Sequence, residues 1–280
     1  MRVHISVDME GVSGVADAAD TTLGAPHYEY CRRLMTAECN AAVEGCFEAG
    51  ASEVIVNDSH GTMLNLLQEQ LDPRVKVVRG RTKSLGMMQG LSRDCDASVF
   101  VGYHAAAGHD DGVLNHTMRG RDVQGVFLND EPAGELRLNA AMAGTMGVPI
   151  VLVSGDDVVC GEASDCLGNV EAVEVKRAID KYTALSLHPT RAQEAIREGA
   201  RRALGRLADF TAYTVGSPTT LRVAWNSTSI AALCENIPGV KRVGSREVEY
   251  TSADYVELYR LLRVMLSLAA SAAAAPYSYD

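Results

Sequence analysis

Three apolar runs of this chain each lead into side chains able to bind a metal. Val3-His4-Ile5-Ser6-Val7 leads into Asp8 and Glu10, Glu53-Val54-Ile55-Val56-Asn57-Asp58-Ser59 into His60, and Ala97-Ser98-Val99-Phe100-Val101-Gly102-Tyr103 into His104. If these runs are strands of one open parallel sheet, their carboxyl ends lie along a single edge. Ligands of α/β proteins bind there, and residues far apart in sequence converge. Asp8 and Glu10, two positions apart, share a face of an extended chain, and a short turn also lets both carboxylates approach one ion. Carboxylates mixed with neutral imidazoles suit zinc, manganese or another first-row ion, whereas calcium and magnesium favour oxygen alone. Taken singly, Asp8 reads as a cap and His60 and His104 as surface histidines. Their common place after strands makes a metal site, zinc first, the economical reading.

Two further candidates follow in sequence, His116 within Gly112-Val113-Leu114-Asn115-His116-Thr117-Met118, and Glu135 after Gly134. Glu135 equally suits the first turn of a helix, where the dipole favours an acid. Asp156, in Gly155-Asp156-Asp157, reads as a helix cap before it reads as a site residue. Gly11-Val12-Ser13-Gly14 lacks the spacing of either glycine-rich phosphate loop.

The elements that must position these residues follow from periodicity. From Arg2 to about Asp157 short β-branched runs alternate with helical ones, the pattern of a mostly parallel α/β sheet. Helices are expected over 28–49, 135–146 and 157–165, and further strands over 75–78, 123–128, 148–153 and 172–175. Cys31, Cys39 and Cys46 fall within about 80° of one another on the first helix at 100° per residue, a core-facing stripe. Beyond residue 182 the rhythm changes to a helix over 190–207, strands over 220–224 and 241–250, and a last helix over 252–268. The expectation is an α/β fold with a mostly parallel sheet sandwiched by helices. Residues 1–185 form its metal-binding catalytic domain, and 186–280 a smaller α+β domain contributing to assembly.

Composition excludes several functions. Lys and Arg number 26 against 36 Asp and Glu, a net charge of −10. No basic stripe can neutralise a phosphate backbone, so nucleic acid is not an expected partner. Seven Cys without a C-x-x-C pair do not form a disulfide framework or a zinc knuckle, and fit a reducing cytoplasm. No charged-then-apolar leader precedes the first strand, and no segment stays apolar for the roughly 20 residues that span a bilayer, so no membrane association is expected.

The ordered blocks Ser6-Val7-Asp8-Met9-Glu10-Gly11, Asn57-Asp58-Ser59-His60, Gly102-Tyr103-His104, His116 with Met118, Gly134-Glu135-Leu136 with Leu138-Asn139-Ala140, and Ser154-Gly155-Asp156-Asp157 closely resemble a known family. It is that of the zinc D-aminopeptidases encoded with bacterial dipeptide-transport genes, and the resemblance runs to about Leu268. It implies two zinc ions per subunit held by Asp8, Glu10, His60, His104 and Glu135, with His116 in the catalytic role. It also implies a short peptide substrate and a homo-oligomer, a decameric ring enclosing its active sites. The chain departs from the family's best-known pattern around 105–111 and 120–124, which bears on substrate preference and on D against L stereochemistry.

The expected reaction is peptide hydrolysis from the amino terminus. Two ions sharing a ligand lower the pKa of water to about 7 and polarise the scissile carbonyl, while His116, not needed as a ligand, moves protons. The rivals are another metal-dependent hydrolase, an amidohydrolase or phosphoesterase, and a dipeptide-binding protein without catalysis. No Arg or Lys lies within the ligand blocks to neutralise a phosphate, which weighs against the phosphoesterase.

Overall fold

The computed structural model describes residues 1–273. In chain order its elements are β1 (Arg2–Val7), α1 (Ala18–Thr21), α2 (Tyr28–Glu48), β2 (Glu53–Asp58), β3 (Lys76–Val78), β4 (Ala97–Tyr103), β5 (Val123–Leu128) and β6 (Glu131–Pro132). They continue with α3 (Glu135–Gly144), β7 (Ile150–Asp156), α4 (Asp157–Leu167), β8 (Glu171–Asp180), β9 (Thr183–Ser186), α5 (Pro189–Gly205), β10 (Thr219–Trp225), α6 (Thr228–Cys234), β11 (Lys241–Arg242), β12 (Glu247–Ser252) and α7 (Tyr255–Ala273). The α/β expectation holds. A seven-stranded sheet of order β3-β2-β1-β4-β7-β8-β9 is parallel except for the β8–β9 hairpin, and a five-stranded sheet of order β11-β12-β10-β5-β6 is antiparallel.

The chain leaves β1 toward β2 and β3 on one side and returns to β4, β7 and β8 on the other. The order therefore reverses between β1 and β4, and a crevice opens at such a switch. β1 shows how the sheet divides its two faces. Val3, Ile5 and Val7 join a core shared with Cys31, Cys39 and Cys46 of α2 and Ile196 of α5. Phe100 and Tyr103 of β4 face a second core with α3, α7 and the antiparallel sheet. The thiol stripe of α2 is core, as its spacing implies.

The antiparallel sheet joins distant parts of the chain, since β5 pairs with β10 and β10 with β12. α5, although it follows residue 186, packs on α2 and β8 and completes the first layer. The run expected as one strand over 241–250 divides into β11 and β12 around a turn at Gly244. α6 and β9 carry no strong periodic signal and are stabilised by tertiary packing.

His4 and Ser6, the alternate residues of β1, lie in a buried polar layer between the sheet and α7. Ser6 Oγ meets the Tyr103 hydroxyl at 2.8 Å, Asn139 Nδ2 donates to that hydroxyl at 3.0 Å, and the Tyr259 hydroxyl donates to Asn139 Oδ1 at 2.7 Å. This chain fixes α3 and α7 beneath the strand ends, where burial makes each unsatisfied group costly. His4 Nε2–H donates to the Gln89 carbonyl at 3.2 Å, and Nδ1 lies 2.9 Å from Ser98 Oγ. Burial pushes its pKa down to about 4, with the Gln89 carbonyl opposing and Lys83 adding to the drop.

The unfolded chain thus takes up a proton at His4 near pH 6.5 and the folded chain only near 4. The resulting stability is complete above 6.5 and lost as pH falls through that window, to about 3 kcal/mol at its lower end. Urea unfolding at pH 7 and pH 4.5 is expected to show a markedly smaller acid loss in His4→Gln than in the parent. Equal losses in the two proteins would place the acid sensitivity elsewhere.

Candidate metal centre

Past Val7 the chain stays beside β4. The amide of Asp8 donates to the Val101 carbonyl and that of Gly11 to the Gly102 carbonyl, each at 2.8 Å. The approach is too close for side chains. A Cβ on Gly11 would enter the Tyr103 backbone, and one on Gly102, whose φ is +70°, would meet the Asp8 carbonyl. Two glycines therefore let the ends of β1 and β4 cross, and the crossing sets Asp8 and Glu10 beside His104. Both acids are buried.

The loop after Glu10 is held by groups whose role is not legible in sequence. Lys176 of β8, itself buried, donates to the carbonyls of Glu10, Val12 and Val15, the last at 2.6 Å. Glu38 of α2 accepts the Ser13 amide at 2.9 Å. Lys176 stands in a strand run and Glu38 in a helical one, so neither carries a local signal.

Three imidazoles face this pair of acids and Glu135, and each is oriented by a backbone carbonyl. His60 donates Nε2–H to Thr21 at 3.0 Å and presents Nδ1 at 2.9 Å from Glu10 Oε2 and 3.3 Å from Asp8 Oδ1. His104 donates Nδ1–H to the Ala105 carbonyl at 3.0 Å. Its Nε2 lies 3.6 Å from Asp8 Oδ2 and 3.4 Å from Glu135 Oε1, buried and without a hydrogen-bond partner among the described residues. His116 donates Nδ1–H to the Leu114 carbonyl at 2.8 Å, leaving Nε2 at 3.7 Å from Glu135 Oε1. A carbonyl that takes one ring proton fixes the tautomer and directs the other nitrogen's lone pair, the usual arrangement behind metal-binding histidines.

Glu135 opens α3, but its carboxylate does more than complement the helix dipole. It accepts the Met118 amide at 2.6 Å and sits among the histidines, 5% exposed. Leu114 and Met118, on either side of His116, both adopt positive φ, 50° and 61°. Strain of this kind persists only where surrounding contacts impose it, and it often marks functional segments. One such contact is Asp156. Its Oδ1 caps α4 through the Val159 amide at 2.9 Å, as its place before a helix implies, and its Oδ2 accepts the Val113 amide at 2.8 Å. With both oxygens so engaged, Asp156 supports the His116 loop and is not spare to bind a substrate amine.

All six side chains singled out in sequence thus meet at one place. Candidate ligand atoms of Asp8, Glu10 and His104 lie within 4.8 Å of one another, as do those of His104, His116 and Glu135. His104 belongs to both groups. The rings of His104 and His116 stack with centroids 4.2 Å apart.

The electrostatics follow from crowding three buried acids at one place. Burial, with Glu10 adding to it and the hydrogen bond from His60 opposing, raises the Asp8 carboxyl to about 7. Burial works against the charged form of Glu10, yet His60 outweighs it and holds this carboxyl well below its ordinary range. Burial alone would lower His60 and His104, but Glu10 and Asp8 raise the first, and Glu135 the second to about 10. His116 behaves differently. Burial and then the adjacent His104 ring lower its pKa, so its imidazole is held neutral and able to accept a proton.

Three converging carboxylates, imidazole nitrogens aimed among them, and an orphaned His104 Nε2 together form a donor set that fits zinc once the ring protons leave. Asp8, Glu10, His60, His116 and Glu135 line a cavity of about 920 Å³, whereas His104 lies behind them. His116 is 22% exposed at its side chain and His104 only 1%, so the cavity reaches His116. The lining of the cavity also includes Arg81, Lys83, Arg260 and Arg263. None lies in a ligand block, and the approach of α7 to the segment after β3 is what brings them in.

The whole chain has known counterparts. The family model described as D-aminopeptidase matches residues 1–264. A D-aminopeptidase of Bacillus subtilis (strain 168) is 34% identical over 270 residues, 96% of this chain and 98% of that protein. A solved structure, described as the Zn-dependent D-aminopeptidase DppA from Bacillus subtilis, a self-compartmentalizing protease, superposes with a TM-score of 0.93. It has 34% identity and covers 96% of this chain and 98% of its own.

Proposed function

This chain belongs to the D-aminopeptidase family, and from that premise we propose that it is a zinc-dependent aminopeptidase which binds two zinc ions per subunit and releases an N-terminal D-residue from short peptides. The observation that carries the reading is the convergence of Asp8, Glu10, His60, His104 and Glu135, with each imidazole turned toward the acids by a hydrogen bond from its other ring nitrogen to a backbone carbonyl. These five would hold the metal, with His104 the member shared by the two ligand groups. Zinc, when bound, supplies the Lewis acidity that polarises the scissile carbonyl and makes water a nucleophile near neutral pH.

The remaining chemistry belongs to the protein. Nε2 of His116, neutral and reachable from the cavity, accepts the proton of the attacking water and returns it to the departing amine. The Leu114 carbonyl keeps the ring turned for this, since it engages Nδ1–H throughout. Asp156, by bonding the Val113 amide, holds the loop on which that carbonyl sits. The buried walls of Met87 and the polar layer below limit access of bulk water from the sheet side.

The described relative is a self-compartmentalizing protease, and we take this chain to assemble likewise into a ring of copies, a decamer. Exposed Ile179, Tyr182 and Leu185 on the β8–β9 edge support a contact between copies. Seven free thiols support residence in the reducing cytoplasm. No helix among the described residues is long and apolar enough to cross a membrane.

The test is metal analysis followed by hydrolysis of D-alanyl and L-alanyl short peptides. About two equivalents of zinc, faster release of D-alanine, and loss of turnover on chelation are expected. Turnover of the L-peptide alone would remove the stereochemical part. Peptide binding without turnover in the zinc-loaded protein would remove the enzyme.

A further inference from the structure

The cavity lined by the acidic metal cluster is lined by four cationic side chains as well. Arg260 and Arg263 stand three apart on α7 and thus on one helical face, and both line the cavity together with Arg81 and Lys83. The Arg263 guanidinium lies directly over Gly86, where a side chain would collide with it, so α7 is closed down on the loop that carries Lys83. Lys83 is buried, and its ammonium is held by neutral oxygens only: Asn57 Oδ1 at 2.7 Å and the carbonyls of Asp58 and Val78.

No carboxylate among the described residues pairs with Arg81, Lys83, Arg260 or Arg263. Arg119, on the same cavity, is by contrast held by Asp122 at 2.6 Å. In a chain of net charge −10, cations that line one cavity with no carboxylate in ion-pair contact leave their hydrogen-bond donors open to an anion. Asp8, Glu10 and Glu135 do not serve as that anion, because their partners are the histidines and the Met118 amide.

We propose that this wall binds the free α-carboxylate of the substrate, with Arg260 and Arg263 as the contacting residues and Arg81 and Lys83 supplying the surrounding positive field. The inference rests on the aminopeptidase reading and deepens it. A peptide whose amino end lies at the acidic cluster and whose carboxylate meets these cations must fit within one cavity of about 920 Å³, so the cavity selects zwitterionic peptides of a few residues. Guanidinium groups suit the task because they meet a carboxylate through two parallel hydrogen bonds.

The experiment compares D-alanylglycine with D-alanylglycinamide on the zinc-loaded enzyme and on Arg260→Met, Arg263→Met and the double variant. A contact of this kind is worth about 10- to 100-fold, so the parent enzyme is expected to prefer the free acid by that factor in kcat/KM. The double variant should raise KM for the acid by a similar factor with kcat little changed, and leave the amide kinetics within a few-fold. Equal use of acid and amide by the parent enzyme overturns the proposal, as does an equal fall for both substrates in the variants.

If neither peptide is cleaved, the aminopeptidase reading fails, and calorimetric titration of the same proteins with the two compounds decides the carboxylate question by itself. Tighter binding of the acid that is lost in the double variant supports the assignment, and equal binding overturns it. Hydrolysis of 4-nitrophenyl phosphate, abolished by the same replacements, would assign the cations to a phosphoryl group instead.

Discussion

Replacing His116 by Ala is expected to lower kcat by about 10²–10⁴ with zinc content unchanged, the range typical of a lost proton-transfer group. The position of the ring argues for this role over that of an indispensable ligand. It is the most exposed of the three clustered imidazoles, it lines the cavity, and its pKa is lowered by burial and by the neighbouring His104 ring. A neutral imidazole accepts the proton of attacking water, and the protonated one then supplies it to the leaving amine.

The geometry also offers the rival outcome a clear form. His116 groups with His104 and Glu135 within ligand distance. Loss of an equivalent of zinc in His116→Ala, measured alongside kcat, would make it a ligand. An unchanged kcat would remove it from the mechanism altogether. The acid limb of the pH–rate profile gives a further check: activity should fall as pH drops through the lowered pKa of His116, because the protonated ring no longer accepts a proton.

Asp8→Asn should have the other large effect, a loss of about 10³-fold or more in kcat/KM accompanied by loss of bound zinc, since several kcal/mol of carbonyl polarisation depart with the metal. Asp8 is the acid that His60 and His104 approach through its two different oxygens, so its amide analogue removes an anionic ligand that stands between two of the imidazoles. Stability should move the other way. Burial and the nearby Glu10 raise the Asp8 carboxyl to about 7, so the ionised group weakens the metal-free fold near neutral pH.

Chelated Asp8→Asn is therefore expected to melt at or above the temperature of the chelated parent, while zinc raises Tm in the parent far more than in the variant. Differential scanning with and without chelator separates this from simple misfolding. A variant that kept two equivalents of zinc and ordinary turnover would show that Asp8 is not a ligand. One that melted well below the chelated parent would mean that Asp8 serves the fold.

The sequence by itself determined the α/β class and marked Asp8, Glu10, His60 and His104 as one candidate site, because the signal for each is local. β1, β2 and β4 announce themselves through continuous apolar runs, and a parallel sheet necessarily gathers their carboxyl ends, so Asp8, Glu10, His60 and His104 were bound to meet once those runs formed neighbouring strands. The family resemblance added Glu135, whose place at a helix start is equally well explained by the dipole alone. Tertiary structure decided the rest. The fold of the Leu114–Met118 loop, fastened by Asp156, sets how His116 faces Glu135. Lys176 and Glu38 secure the Glu10 loop from two other elements. The Arg81, Lys83, Arg260 and Arg263 wall exists only because α7 closes over the segment after β3. Contacts of this kind depend on long-range packing between elements whose own periodicity says only that they are helix or strand, and neighbours in the chain hold no record of which distant surface a charged side chain will meet.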